Sequence, residues 1–160
     1  MPYRRLPRMV GIAAFAVVLT GSAHAAGTLE TLYSFCATQG CPDGDQPYAG
    51  VTLEPSGKLV GTTGFGGKYN GGTVFALDDK HGTWTFKSLK SFCVGTPPNC
   101  QPDEGPSVTL VVDTSANLYG TVYFGGANGD GAIFEMKSNG GKKYALHYLH
   151  SFDNSDGAGP

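Results

Sequence analysis

Residues 58–77 read KLVGTTGFGGKYNGGTVFAL, and an altered copy, NLYGTVYFGGANGDGAIFEM, occupies residues 117–136. The two copies align at a constant offset and without a gap. They share a Leu-x-Gly-Thr start, a central Phe-Gly-Gly and a closing Gly-x-(Val/Ile)-Phe. A long match at fixed spacing is typical of an internal repeat, so the chain is expected to contain similar structural units in tandem.

Working outward, each copy lies within a unit of about four short apolar runs separated by Gly-rich connections, a pattern typical of antiparallel strands. Outside residues 1–25, no apolar set recurs at helical spacing. The predicted strands are 31–35, 51–57, 58–63, 73–77, 83–92, 107–113, 117–123, 132–136 and 143–152. Because four antiparallel strands form the blade of a β-propeller, we predict an all-β, propeller-like fold of about two blades.

The predicted boundaries follow from this repeat. They are a signal peptide at 1–25 and a repeat domain at 26–160. The repeat domain divides into 28–35 (last strand of a preceding unit), 36–92 (repeat 1), 93–152 (repeat 2) and 153–160 (start of a third repeat). A closed propeller uses roughly four to eight blades. We therefore expect an incomplete array, or a chain that completes its propeller by self-association.

The N-terminal segment predicts export. Arg4, Arg5 and Arg8 precede an apolar run at 9–20, which is too short for a comfortable membrane span, and a small-x-small cleavage site ends at Ala25. The alternative is an uncleaved anchor. We expect a periplasmic, extracellular or cell-surface protein with no membrane span after cleavage.

Composition narrows the class of partner. The 160 residues carry a net charge of −2, and 15% are charged while 11% are aromatic. A nucleic-acid-binding protein would need a basic face, so a nucleic-acid partner is not expected. The aromatic content together with 25 glycines indicates packed short strands and turns rather than disorder.

The four cysteines occupy equivalent places in the two units. Cys36 and Cys41 flank the first opening loop, and Cys93 and Cys100 flank the second. An even number in an exported chain indicates disulfides. Three connectivities are open, and the equivalent placement favours one bridge per repeat. A metal or redox site is the weaker alternative because there is no Cys-x-x-Cys and no histidine at ligand spacing.

Residues shared by both copies are interpreted as architectural. Gly66-Gly67 and Gly125-Gly126 fit tight connections with positive φ, and Gly61 and Gly120 inside strands indicate a bulge or a close backbone approach. The predicted core aromatics are Phe75, Trp84, Phe92, Phe134, Tyr144 and Phe152.

The motif series Leu-x-Gly-Thr-x-x-x-Gly-Gly, Gly-x-(Val/Ile)-Phe, Ser-Phe and Asp-Gly-x-x-Pro resembles the GloVer tandem repeats of bacterial choice-of-anchor proteins. The resemblance runs from Leu32 to the C-terminus. It implies an exported repeat architecture and no established activity. Members of that family typically carry more repeats and often a C-terminal sorting anchor, neither of which this sequence shows.

Candidate chemistry is sparse. Acidic Gly-rich loops suggest either Ca²⁺ ligation or solvated turns in which Asp caps the backbone, and we favour turns. These loops contain Asp43 and Asp45, Asp103 and Glu104, and Asp153 and Asp156. No catalytic, cofactor-binding or metal-binding residue is assigned, and no cofactor is expected.

Two further groups of residues are candidates for a site or a surface. His147 and His150 lie three residues apart in a predicted strand, so they are expected on opposite faces and not in one site. Tyr48, Tyr69 and Tyr123 are candidates for a stacking surface. The function predicted from these features is a binding or surface-interaction module for a glycan or protein ligand, not an enzyme. The alternatives are a remnant of a longer array without its own activity and, less favoured, a propeller-type hydrolase of extracellular glycans.

Overall fold

The computed structural model describes residues 28–96, 99–101, 105–140 and 143–160. The predicted signal peptide at 1–25 lies outside these ranges. The described residues contain strands and no helix, which confirms the all-β prediction. The strands are β1 (Thr52–Leu53), β2 (Leu59–Thr63), β3 (Thr73–Lys80), β4 (Thr83–Ser91), β5 (Val94–Thr96), β6 (Asn99–Gln101), β7 (Val111–Val112), β8 (Leu118–Val122), β9 (Ala132–Asn139) and β10 (Lys143–Ser151).

Two antiparallel four-stranded sheets carry the repeat. Their strand orders are β1-β2-β3-β4 and β7-β8-β9-β10. The registers are equivalent, since Gly61 pairs with Phe75 in the first sheet and Gly120 pairs with Phe134 in the second. Each sheet therefore corresponds to one predicted blade.

The strands differ in length from those predicted. β3 continues to Lys80 rather than ending at residue 77, because the chain reverses in only two residues. His81 and Gly82 both have positive φ, 57° and 85°, as a two-residue hairpin turn requires. The Asp79 carboxylate accepts a hydrogen bond from the Gly82 amide at 2.7 Å. The edge strands β1 and β7 are shorter than predicted, at two residues each. We call the side of each sheet that ends in β1 or β7 the inner side, and the side that ends in β4 or β10 the outer side.

The strand predicted at 31–35 is absent, and that prediction is wrong. The segment packs its aromatic rings on the face of the first sheet instead of pairing along an edge. Tyr33 stacks on Phe86 with ring centroids 4.9 Å apart, and Phe35 lies 4.8 Å from Phe75. A segment lying across a sheet face cannot exchange ladder hydrogen bonds with that sheet, because those bonds run within the plane of the sheet.

The hairpin of β5 and β6 was not predicted. It lies in the opening loop of the second unit, where Gly95 pairs with Cys100. The sequence suggested only a loop flanked by two cysteines, because the runs are three residues long and too short to show alternation.

The two faces of each sheet have different roles, and we name them by their residues. The forward face carries Val60, Thr62, Val74 and Ala76 in the first sheet and Tyr119, Thr121, Ile133 and Glu135 in the second. The rear face carries Leu59, Gly61, Phe75 and Leu77 in the first sheet and Leu118, Gly120, Phe134 and Met136 in the second. The main core lies between the forward face of the first sheet and the rear face of the second.

Each rear face places a phenylalanine ring across a glycine of the neighbouring strand. A Cβ at Gly61 would lie 2.6 Å from Cζ of Phe75, and one at Gly120 would lie 2.8 Å from Cζ of Phe134. Both strand glycines are therefore sites of close approach, but the group that approaches is a side-chain ring and not the backbone that was predicted. The paired connection glycines also have positive φ, including Gly66 at 73° and Gly126 at 75°.

The predicted core aromatics divide into two groups. Phe75, Phe92 and Phe134 are buried, as predicted. Trp84, Tyr144 and Phe152 are only half-buried. These last residues lie on the outer strands or just after them, where the sheets reach solvent.

Candidate interaction surface

The forward face of the second sheet differs in burial from the forward face of the first. In the first sheet, the equivalent positions are covered by the second sheet, and Val74 has no exposed surface. In the second sheet, Ile133 takes the place of Val74 and is 37% exposed. Val111 lies on β7 at the edge of the same sheet, beside Tyr119 of β8, and is 66% exposed. A face that the repeat buries once is therefore left uncovered the second time.

A bulge in β10 extends this surface. The register of β9 and β10 shifts between Tyr148 and His150, as it does at the matching place in the first sheet. Leu89 in the first sheet packs against the core, whereas its equivalent Leu149 is 56% exposed. The bulge thus places one more large apolar side chain in solvent.

The same bulge makes the prediction for the two histidines wrong. His147 pairs with Glu135 and His150 pairs with Ile133, so both histidines share the forward face. The extra residue at the bulge restores the face that strict alternation would have changed. His150 contacts the carboxylate of Asp156 through Nε2 at 2.8 Å.

A shallow groove of about 240 Å³ runs along the inner half of this face. Its apolar wall is formed by Val108, Val111 and Ile133, and its polar groups are mainly threonine hydroxyls and the Tyr119 ring. Among the residues that the structure describes, those that line the groove carry no charge. Such a lining suits an apolar protein surface better than a ligand that needs many hydrogen bonds.

The hydroxyl of Tyr119 is held by carboxylates at the edge of the groove. It donates to Glu135 at 3.0 Å and lies 3.2 Å from the carboxylate of Asp113. The hydrogen bond to Glu135 is the main reason that the pKa of Tyr119 is raised. Asp113 also accepts from the amides of Ser115 and Asn117, and the Asn117 amide is the main cause that lowers the pKa of Asp113. The ring of Tyr119 is therefore fixed on this face.

The C-terminal segment follows the second sheet as the segment after β4 follows the first. The Phe92 amide donates to the Gly72 carbonyl at 2.9 Å, and the Phe152 amide donates to the Gly131 carbonyl at 3.0 Å. The interpretation of 153–160 as the start of a third repeat stays a prediction. The last residue of this segment accepts a hydrogen bond from the Thr121 hydroxyl at 3.4 Å.

The rear face of the first sheet is covered only in part. Its outer half lies under Tyr33 and Phe35. The Tyr33 hydroxyl donates to Asp43 at 2.8 Å, and burial, followed by this hydrogen bond, raises the pKa of Tyr33 to about 12. On the inner half, Val51 is exposed and Leu53 is 65% exposed.

The cysteines of the first unit form the Cys36–Cys41 disulfide. It closes the loop that anchors the segment carrying Tyr33 and Phe35. Cys93 is also disulfide-bonded. The side chain of Cys100, its predicted partner, lies outside the described part of the structure, so the Cys93–Cys100 bridge stays a prediction.

The acidic loops bind their own backbone. The Asp43 carboxylate accepts from the Cys36 amide at 3.2 Å, and the Asp153 carboxylate accepts from the Ser155 amide at 3.0 Å. Asp103 and Glu104 lie outside the described residues. Where described, these loops follow the turn interpretation. Asp45 lies near Cys36 and Cys41, but both sulfurs are in the disulfide and are not free ligands.

The tyrosines proposed for stacking occupy separate surroundings. Tyr48 is exposed beside Gly64, and Tyr123 packs edge-on against Phe124 with centroids 4.7 Å apart. Tyr69 is half-buried, with Nζ of Lys68 lying 5.0 Å from its ring centroid. Each ring therefore has its own local neighbours.

A second cavity, of about 250 Å³, lies between the two sheets at their outer edge, lined in part by Lys58, Asp78 and Tyr144. Near this cavity, the buried carboxylate of Glu54 joins the two sheets. It accepts a hydrogen bond from the Tyr144 hydroxyl and lies 3.7 Å from Nζ of Lys58. A carboxylate of the first sheet and a phenol of the second thus tie the sheets together.

This link predicts a pH-dependent stability. Burial, followed by the hydrogen bond to Glu54, raises the pKa of Tyr144 above its ordinary value of 10.0. The stabilisation by the neutral phenol is complete below pH 10 and is lost as pH rises towards the raised pKa. Tyr144→Phe should lower the free energy of unfolding by about 1–3 kcal/mol at neutral pH. It should also make the decline above pH 10 shallower.

Urea unfolding of both proteins at a series of pH values checks this. Tyr33 titrates in the same direction in both proteins, so the difference between the two curves isolates Tyr144. Parallel curves above pH 10 would contradict the assignment.

Comparison with known proteins identifies a family for this chain. A family model described as the Gloeobacter/Verrucomicrobia repeat matches residues 22–160. No curated protein and no solved structure matches the chain. Within the described ranges, no helix is of a length and hydropathy that could cross a membrane. The family match covers both sheets and the connections that repeat between them, and the chain therefore belongs to the Gloeobacter/Verrucomicrobia repeat family.

Proposed function

We propose that this protein is an exported β-repeat module that binds a partner protein through the uncovered forward face of its second sheet. The observation that carries the proposal is the contrast between equivalent residues. Val60, Thr62 and Val74 are buried by a neighbouring sheet, while Tyr119, Thr121 and Ile133 are at least partly exposed. Burying the apolar part of such a face stabilises a complex by about 25 cal/mol for each Å² of apolar surface removed from water.

The chemistry of this face favours a protein over a glycan. Glycan sites need several polar groups that pair with hydroxyls. The polar side chains of this groove are two threonines and Tyr119, whose hydroxyl already donates to Glu135, and its walls are valine and isoleucine. The same set of positions in the first sheet already accommodates a sheet face. Export is supported by the basic and apolar segment at 1–25, which would place the module outside the cytoplasm.

Site-specific photo-crosslinking in cells that produce the protein tests this proposal. A photoreactive phenylalanine analogue at position 133 should give a discrete crosslinked protein product. The same analogue at exposed Thr83, at the far tip of the first sheet, serves as the matched control and should give none. Equal labelling at both positions, or no product at 133, would overturn the proposal.

A further inference from the structure

We infer that the partner is a second copy of this chain, docked head to tail. The forward face of the second sheet in one copy would contact the rear face of the first sheet in the next. This inference rests on the proposed function, because it names the occupant of the same surface. It arises from continuity with the interface that already joins the two sheets within one chain.

The established interface shows which residues cover a forward face. The first forward face is covered by Leu118, Phe134 and Met136, together with Leu110 just before β7. The equivalents of these four residues are Leu59, Phe75, Leu77 and Val51, all on the rear face of the first sheet or at its inner edge. One copy therefore carries an uncovered forward face and, on its rear face, residues of the same kind as those that cover a forward face. Of these, Phe75 and Leu77 are already buried, Phe75 beneath the segment 31–35, and Val51 is exposed.

The rear face of the first sheet and the forward face of the second both have exposed residues on their inner halves. Leu110 is buried within the chain, whereas its equivalent Val51 is exposed. Val112 packs against the core, whereas its equivalent Leu53 is 65% exposed. These two residues lie on the inner half of the rear face, and the groove beside Val111 and Ile133 lies on the inner half of the forward face.

One of the two threonine hydrogen bonds across the established interface can be repeated; the other, from the Thr52 hydroxyl to the Leu110 carbonyl at 2.7 Å, cannot, because Val111 stands at the place of Thr52. The Thr62 hydroxyl donates to the carbonyl of Val108 at 2.9 Å across the two sheets. Thr121 is the equivalent hydroxyl on the uncovered face, and Ala49 of a second copy would supply the equivalent carbonyl. The present contact of Thr121 with Pro160 is long, at 3.4 Å, so exchanging it loses little.

The charges at the outer rim are also complementary. On the uncovered face, Lys137 stands where Asp78 stands in the first sheet. On the rear face of the first sheet, Asp79 stands where Ser138 stands in the second, and it pairs with Trp84. In a head-to-tail contact that repeats the arrangement of the two sheets, Lys137 and Asp79 of the next copy would lie on facing sheets, and their opposite charges favour this orientation over its reverse.

The segment 31–35 limits this contact. Phe35 lies over Phe75 as Phe92 lies over Phe134, with centroid distances of 4.8 and 5.6 Å. In a complete head-to-tail contact, Phe152 of the neighbouring copy would lie over Phe75, in the place that Phe35 occupies within the chain. The segment therefore competes with the second copy over the outer half of the rear face, and association should be concentration-dependent.

Light scattering of the exported chain at increasing concentration tests the inference. The wild type should rise from the mass of one chain to at least about twice that mass. Ile133→Lys places a charge in the forward-face contact and Leu53→Lys places one in the rear-face contact. Each variant alone should therefore stay monomeric. Thr83→Lys, an exposed position at the hairpin tip, is the charge-matched control and should associate like the wild type. Far-UV circular dichroism verifies that each variant keeps its β-sheet signal.

Mixing the two monomeric variants gives the sharpest outcome. Each retains one intact face, so the mixture should form a dimer of one copy of each and nothing larger, as a heterologous interface requires. If Leu53→Lys alone associates as strongly as the wild type, the rear face is not needed. The dimer would then join two forward faces, and the inference would be overturned. A wild type that stays monomeric while position 133 crosslinks to a different protein would also overturn it, yet would leave the proposed function standing.

Discussion

Replacing Phe134 with alanine is expected to lower the free energy of unfolding by about 3–5 kcal/mol, the usual cost of truncating a fully buried phenylalanine. Phe134 has no exposed surface. It fills the space between the two sheets and contacts the ring of Phe92 with centroids 5.6 Å apart. Removing the ring leaves a cavity at the centre of the only large core that the described residues form.

The neighbouring residue supplies the control. Ile133 lies on the same strand, points to the opposite face and is 37% exposed. Ile133→Ala should therefore cost well under half as much as Phe134→Ala. Urea unfolding monitored by circular dichroism, analysed at low protein concentration so that association does not contribute, measures both. Equal losses would mean that the core is not placed between these faces.

Substituting Gly120 with alanine is expected to destabilise the protein by about 1–3 kcal/mol through overpacking. The added Cβ would lie 2.8 Å from Cζ of Phe134 and 3.0 Å from Cδ2 of Leu110. Both neighbours are buried, so neither can move aside freely. Gly50→Ala is the matched control, because the nearest atom to its added Cβ is the Thr109 hydroxyl at 3.6 Å.

A double substitution tests the cause of this effect. Phe134→Leu shortens the side chain that lies across Gly120, so Gly120→Ala should cost less in the Phe134→Leu background than in the wild type. Residues in direct contact commonly show such coupling, at about 0.5–3 kcal/mol. Additive losses would show that the glycine is required for another reason, such as its backbone conformation.

The sequence was most informative where both copies agree. The paired strand glycines Gly61 and Gly120 predicted a bulge or a close backbone approach, and in the structure each is approached closely, by a phenylalanine ring rather than by backbone. The repeated connection glycines likewise predicted positive φ. These features are local, since strand alternation and the lack of a Cβ act within a few residues, and local causes can be read from local sequence.

The sequence was least informative where packing chooses between equivalent arrangements. Residues 31–35 look like a strand, yet they lie over a sheet face because Phe75 and Phe86 offer them an apolar surface. The bulge in β10 moves His150 to the face of His147, and no residue in that strand signals the extra position. Neither outcome follows from alternation alone.

By itself, the sequence determined that this protein is built of two similar four-stranded sheets, because the repeated pattern specifies strands, turns and the glycine–phenylalanine contact. Only the tertiary structure decided which faces are covered. Val74 and Ile133 occupy equivalent places in near-identical patterns, but the first is buried and the second exposed. The physical reason is that burial depends on what stands next to a sheet, and a repeat carries the same sequence whether or not a neighbour is present.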